Sequence, residues 1–153
     1  MRLLITIPPR VADHRHAFGL LDTSVVIDLE RVDPASLPAA LAVSAVTLAE
    51  LAAGPHATND VSERARRQER LQRVEATFDP LPFDGAAARA YGVVYAAVGA
   101  AGRKARGHRA LDLLIAATAL AARLPLYTRN PADFDDVAGL VVIMPVTTVA
   151  TSI

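Results

Sequence analysis

Three apolar runs in this chain, FGLLDTSVVI, LAVSAVTLAELAAG and LDLLIAATALAA, each hold a single charged residue, and each time it is a carboxylate: Asp22, Glu50 and Asp112. A fourth acid, Asp133, follows a short strand-like segment in LYTRNPADF. A carboxylate drawn into an apolar setting is costly unless a cation or hydrogen-bond donors compensate it. A fold that accepts these runs must therefore give each acid its own partner or bring the acids to one shared pocket.

The pattern between the acids points to the fold. After residues 1–17, which mix Pro, Arg and His without periodicity and read as a flexible extension, strand and helix signals alternate through 18–153 as one domain. A strand ends at Leu21, and Asp22-Thr23-Ser24 offers caps for a helix from Val25 to Glu30. Pro34 and Pro38 mark a loop or short helix, Leu41 to Val43 a strand, and Ser44 caps a helix from Ala45 to Ala53 that Gly54-Pro55 stops. After a loop, Val61 to Phe78 is an amphipathic helix with Leu71, Val74 and Phe78 on its apolar stripe. An extended piece flanked by Pro80 and Pro82 leads to helices at Gly85–Ala101 and Ala110–Arg123. Pro125–Thr128 then reads as a strand, Pro131–Asp136 as a helical turn and Leu140–Met144 as a last strand. Such alternation predicts an α/β protein, a three-layer α/β/α sandwich with a mostly parallel central sheet. In open sheets of this kind the functional crevice lies beyond the carboxyl ends of the strands, and Asp22 and Asp133 fall just past strand ends.

The chain of 153 residues, 52% of them apolar, suffices for one packed core. Cysteine is absent, which excludes disulfides, zinc thiolates and thiol catalysis. No apolar run is long enough to span a bilayer, and MRLLITIPPR makes a poor signal peptide, so a cytoplasmic protein without membrane contact is expected. The net charge of zero gives no global attraction for nucleic acid, but fifteen of the sixteen basic residues are Arg, gathered at Arg64–Arg73 and Arg103–Arg109.

Each acid has a bland reading. Asp22 caps a helix; Asp112, in the first turn of its predicted helix, meets the positive end of the dipole; Asp133 is a turn residue. Glu50 has no cap role in the second half of its helix, which leaves a buried Arg partner or a place on the surface. The joint reading is stronger. Four converging acids repel by about 3 kcal/mol per pair at roughly 5 Å and an effective dielectric near 20, and a divalent cation removes that penalty. An all-oxygen set points to Mg²⁺ or Mn²⁺, and so to phosphodiester hydrolysis chemistry.

In order, LLDTSVVIDL, VSAVTLAELAAG, ALDLLIAATAL and LYTRNPADF resemble the PIN-domain ribonucleases, and within them the VapC-type toxins of bacterial toxin–antitoxin pairs, over roughly residues 18–145. The resemblance implies that Asp22, Glu50, Asp112 and Asp133 are catalytic and hold one or two Mg²⁺ or Mn²⁺ ions. It makes Ser24 the hydroxyl that fixes the first acid, and Thr128 and Asn130 polar supports lining the cleft. The implied reaction is RNA cleavage by metal-activated water, the implied partners a small antitoxin whose tail occupies the cleft and a second copy in a homodimer. Relatives begin close to LLDTS, so residues 1–17 fall outside the pattern.

For RNA, phosphate contacts are expected from Arg103, Lys104, Arg106 and Arg109, which precede the Asp112 helix, while His108 is read as incidental. The Arg64–Arg73 cluster alternates with Glu63, Glu69 and Glu75 and reads as helix-surface ion pairing. Tyr91 and Tyr95, at helical spacing, are assigned to the core. Two rivals make different claims. A haloacid-dehalogenase-like phosphatase needs a second Asp two residues after the first, where this chain has Ser24. A catalytically silent domain would use the same fold only to bind a protein.

Overall fold

The structure is a computed structural model that describes residues 5–6 and 16–150. Strands β1 (Ile5–Thr6), β2 (Phe18–Leu21), β3 (Ala40–Val43), β4 (Leu126–Thr128) and β5 (Ile143–Pro145) form one sheet in the order β1-β3-β2-β4-β5. The last four are mutually parallel, and β1 lies antiparallel on the outer edge of β3. That edge strand falls within the segment expected to be a flexible extension; it covers β3 backbone groups that would otherwise be unpaired. The rest of residues 1–15 lies outside the described residues.

Helices α1 (Thr23–Ile27), α2 (Ala45–Ala53), α3 (Val61–Thr77), α4 (Gly85–Ala100) and α5 (His108–Ala122) cover the sheet. Side chains alternate across it. Leu20, Ala42 and Leu126 face one core with Val94, Val98 and Ile115 of α4 and α5. Leu21, Val43 and Tyr127 face the other with Val25, Leu71, Val74 and Phe78 of α1 and α3. With both faces covered, the short strands can be apolar at nearly every position, which explains FGLL and ALAV. Gly19 is required by close approach: a Cβ there would stand 2.4 Å from Tyr127 Cε2 and 2.9 Å from Pro38 Cγ.

Side-chain caps start four helices: Asp22 accepts from Val25, Ser44 from Thr47, Asp60 from Glu63 and Asp84 from Ala87. Three expectations need correction. Helix α1 begins at Thr23, directly after its Asp22 cap, and stops at Ile27, short of Glu30. The last strand is Ile143–Pro145, because the Leu140 and Val141 amides turn back onto the Val137 carbonyl. Tyr95 is exposed at 59%, and its ring lies tilted against that of half-buried Tyr91, so this pair borders the core and does not fill it. Among the described residues no helix is long and apolar enough to cross a membrane.

Candidate active site

The chain leaves β2 toward β3 on one side and returns to β4 on the other, so the carboxyl end of β2 is the switch point where a crevice forms. Asp22 stands there, 4% exposed. Its Oδ1 accepts from Ser24 Oγ at 2.5 Å and from the Val25 amide at 3.2 Å, and its Oδ2 accepts from Thr128 Oγ1 at 2.6 Å. Burial pushes the Asp22 carboxyl above the ordinary range, although these hydrogen bonds pull the other way. Helix capping and site geometry are thus the same set of contacts. Ser24 Oγ also accepts from the Arg129 amide, and the Asn130 amide donates to Thr128 Oγ1, which ties the exit of β4 to Asp22; Asn130 itself is exposed.

Glu50 projects from α2 with its side chain 12% exposed. It meets neither an arginine nor open solvent, the two alternatives the sequence left; Thr23 Oγ1 donates to its Oε1 at 2.7 Å. Thr23 Oγ1 also lies 3.0 Å from Thr47 Oγ1, to which Ser44 Oγ donates at 3.3 Å. A hydroxyl has one proton, and that of Thr23 goes to Glu50. Thr47 must then donate to Thr23, so the chain runs in one direction, Ser44 to Thr47 to Thr23 to Glu50. Sequence reasoning passed over Thr23 and Thr47. The available signal was Thr47 three residues before Glu50 on one helix face, opposite a Thr adjoining the first acid.

Asp112 belongs to the second turn of α5, because the helix starts at His108 and has no acid in its first turn. The dipole account of Asp112 therefore loses its footing. Its carboxyl is pushed up to about 6, first by burial, with the charges of Asp22, Glu50 and Asp133 adding to the effect and His108 opposing it. The other three acids selected from sequence therefore all bear electrostatically on Asp112. Asp133 is exposed, in the 3₁₀ turn Pro131–Val137 after β4. His108, with its side chain 76% exposed, lies 3.9 Å from both Glu50 Oε2 and Asp112 Oδ1.

The basic loop divides in two. Arg109 and Arg103 both pair with Asp136, whose side chain is 11% exposed, which fastens the start of α5 to the Asp133 turn. Lys104 and Arg106 are exposed and carry no ion pair among the described residues. On α3, Glu63 pairs with Arg66 and Arg67, and Arg73 reaches Glu30 on the segment after α1.

The donor set is all oxygen, the chemistry that Mg²⁺ and Mn²⁺ select. Among the described residues no three acidic or histidine side chains stand at the spacing of a finished metal cage. Mg²⁺ does not require one, since it retains several waters and takes one or two carboxylates directly. In its donor chemistry and crowded negative charge the site fits such an ion.

The fold and crevice define a class: a parallel α/β protein with a buried carboxylate at the sheet's switch point. Residues 19–140 match the PIN domain. Over 127 residues the chain is 39% identical to Ribonuclease VapC5 of Mycobacterium tuberculosis (strain ATCC 25618 / H37Rv), covering 81% of this chain and 88% of the relative. A crystal structure of VapBC-5, a member of the VapBC family of toxin–antitoxin systems from the same species, superposes with a TM-score of 0.74 at 37% identity, covering 84% of this chain and 98% of that one. FitAcB from Neisseria gonorrhoeae gives 0.65 at 29% identity, covering 84% and 97%. The chain belongs to the PIN-domain family, in its VapC-type ribonuclease branch.

Proposed function

We propose that this protein is the toxin of a toxin–antitoxin pair, a ribonuclease that hydrolyses RNA phosphodiester bonds at Asp22, Glu50, Asp112 and Asp133. The observation that carries the proposal is Asp112, whose carboxyl is pushed up to about 6 by burial and by the other three acids, with no arginine or lysine paired to any of the four among the described residues. A bound Mg²⁺ or Mn²⁺ would supply Lewis-acid polarisation of the phosphate and a nucleophile at neutral pH.

The chain's own residues do the rest. Ser24 and Thr128 hold the Asp22 carboxylate from both oxygens, and Thr23 fixes one Glu50 oxygen, leaving Oε2 facing His108. Asp112 and Asp133 complete the charge that a divalent cation would balance. Residues 18–153 act as one nuclease domain in the cytoplasm. A small antitoxin engages the cleft and blocks RNA, and a homodimer is favoured by the exposed apolar side chains of Val93 and Tyr95 on α4.

The test is induced expression followed by sequencing of RNA ends, with wild type and Asp22→Asn in parallel. New ends that depend on Asp22 support the proposal. Cleavage undiminished in the variant would exclude Asp22 from the chemistry. A trapped aspartyl-phosphate with RNA intact would return the phosphatase, and partner binding without cleavage in Mn²⁺ the silent module.

A further inference from the structure

The acid site opens sideways into a groove. Its near end is lined by Thr23 and Glu50, and its sides by Ile27, Arg67 and Arg70. From Ile27 and Arg70 it continues over Val26, Leu29 and Phe78 between α1 and α3. Ile27 is 44% exposed, so this floor is apolar and open.

The α3 arginines bordering the groove are not equivalent. Arg64 donates to the Thr58 carbonyl, Arg66 and Arg67 hold Glu63, and Arg73 holds Glu30. Arg70 is half-buried, yet among the described residues its side chain makes neither an ion pair nor a hydrogen bond. It lines the groove together with Glu50, Glu63 and Glu30 and closes on none of them. The helix that carries it is nevertheless fixed. Arg67, three residues earlier on the same helix face, is locked by Glu63 and donates to the Gly54 carbonyl at 2.9 Å, which pins α3 to the end of α2. A guanidinium carried on a fixed helix beside Glu50, with its donors free, offers a fork for a tetrahedral oxyanion.

We propose that Arg70 binds a backbone phosphate of the RNA strand next to the bond being cut, with Ile27 lying under the adjoining nucleoside. RNA on this reading runs along α3, and Lys104 and Arg106 of the basic loop stay free for phosphates further along the strand. This rests on the ribonuclease reading above.

The test uses the cleavage-blocked Asp22→Asn protein and a short fluorescent single-stranded RNA of mixed sequence. Binding is followed by anisotropy over a range of potassium chloride concentrations. Adding Arg70→Gln is expected to weaken binding about 10-fold and to lower the log–log salt slope by about 0.7, the share of one phosphate contact on a single strand. Arg70→Lys should keep the slope and recover only part of the affinity. Melting temperature should not move, since the Arg70 side chain has no protein bond to lose, and Mn²⁺ binding should not weaken. An unchanged affinity and slope would overturn the role of Arg70 while RNA binding by the parent leaves the nuclease reading standing. If Arg70→Gln leaves RNA binding intact but abolishes capture of an acidic antitoxin peptide, the groove is a protein site and the proposal fails. If the parent binds no RNA and wild type cleaves none, both readings fall together.

Discussion

Around the periphery, Asp28 meets Arg129, Glu30 meets Arg73, Glu63 meets Arg66 and Arg67, and Asp136 meets Arg103 and Arg109. At the carboxyl ends of the strands, Asp22 and Glu50 meet hydroxyls, and Asp112 faces an exposed histidine and its fellow acids. Even Arg129, whose amide touches Ser24 beside Asp22, sends its guanidinium to Asp28. Arginine is abundant in this chain, yet among the described residues none pairs with Asp22, Glu50, Asp112 or Asp133, which is a property of the fold and not of composition. Four peripheral acids, Asp28, Glu30, Glu63 and Asp136, are given cations by the protein. Asp22 and Glu50 are held by neutral donors, which fix their orientation and leave their charge uncompensated.

The widest separation between the two sets should appear in catalysis. Asp22→Asn keeps the cap and the shape but removes a charge, and RNA cleavage should fall at least about 100-fold, with the far-ultraviolet circular dichroism spectrum unchanged. Glu30→Gln, at an exposed peripheral pair, should leave cleavage rates alone. Comparable losses in both variants would erase the distinction.

The next contrast is in stability. Asp112 has a folded-state pKa raised from 3.8 to about 6. Between those values the folded protein holds a proton that the unfolded chain releases. Stability of the metal-free protein is thus highest toward pH 4 on this account and declines as the pH rises through 6. The full effect is at most roughly 3 kcal/mol. Asp112→Asn should flatten that slope and make the metal-free protein more stable at neutral pH, as read from urea denaturation across the pH series. Glu30→Gln should instead cost no more than about 1 kcal/mol. A destabilised Asp112→Asn protein would contradict the crowding of charge.

A smaller effect probes the neutral donors. Thr23→Val removes the hydroxyl that orients Glu50, and Mn²⁺ affinity should drop about 10-fold, with Thr23→Ser restoring it. Recovery by serine separates lost orientation from lost packing. Unaltered affinity would make the hydroxyl chain a structural seam between α1 and α2.

How much of this could be seen in the residues differs between the two regions. The strands β2, β3 and β4 and the caps at Asp22 and Ser44 were legible, and the four acids stood out as candidates, because each depends on local signals: short apolar runs, capping side chains and a charge out of place. The periphery was not. Arg109 and Asp136 are separated by 27 residues, and nothing local announces that the turn after β4 folds onto the start of α5. Helical spacing placed Tyr91 and Tyr95 on one face correctly, but periodicity does not say where a face meets solvent. Thr23 and Thr47 became visible as a pair only once β2 and β3 lay side by side in register.

The most direct measurement is Mn²⁺ binding by isothermal titration calorimetry at neutral pH, comparing wild type, Asp112→Asn and Glu30→Gln. If the crevice acids form one cation site, wild type and Glu30→Gln bind alike and Asp112→Asn loses most of the affinity. Equal binding by all three proteins, or no binding by wild type, would contradict it.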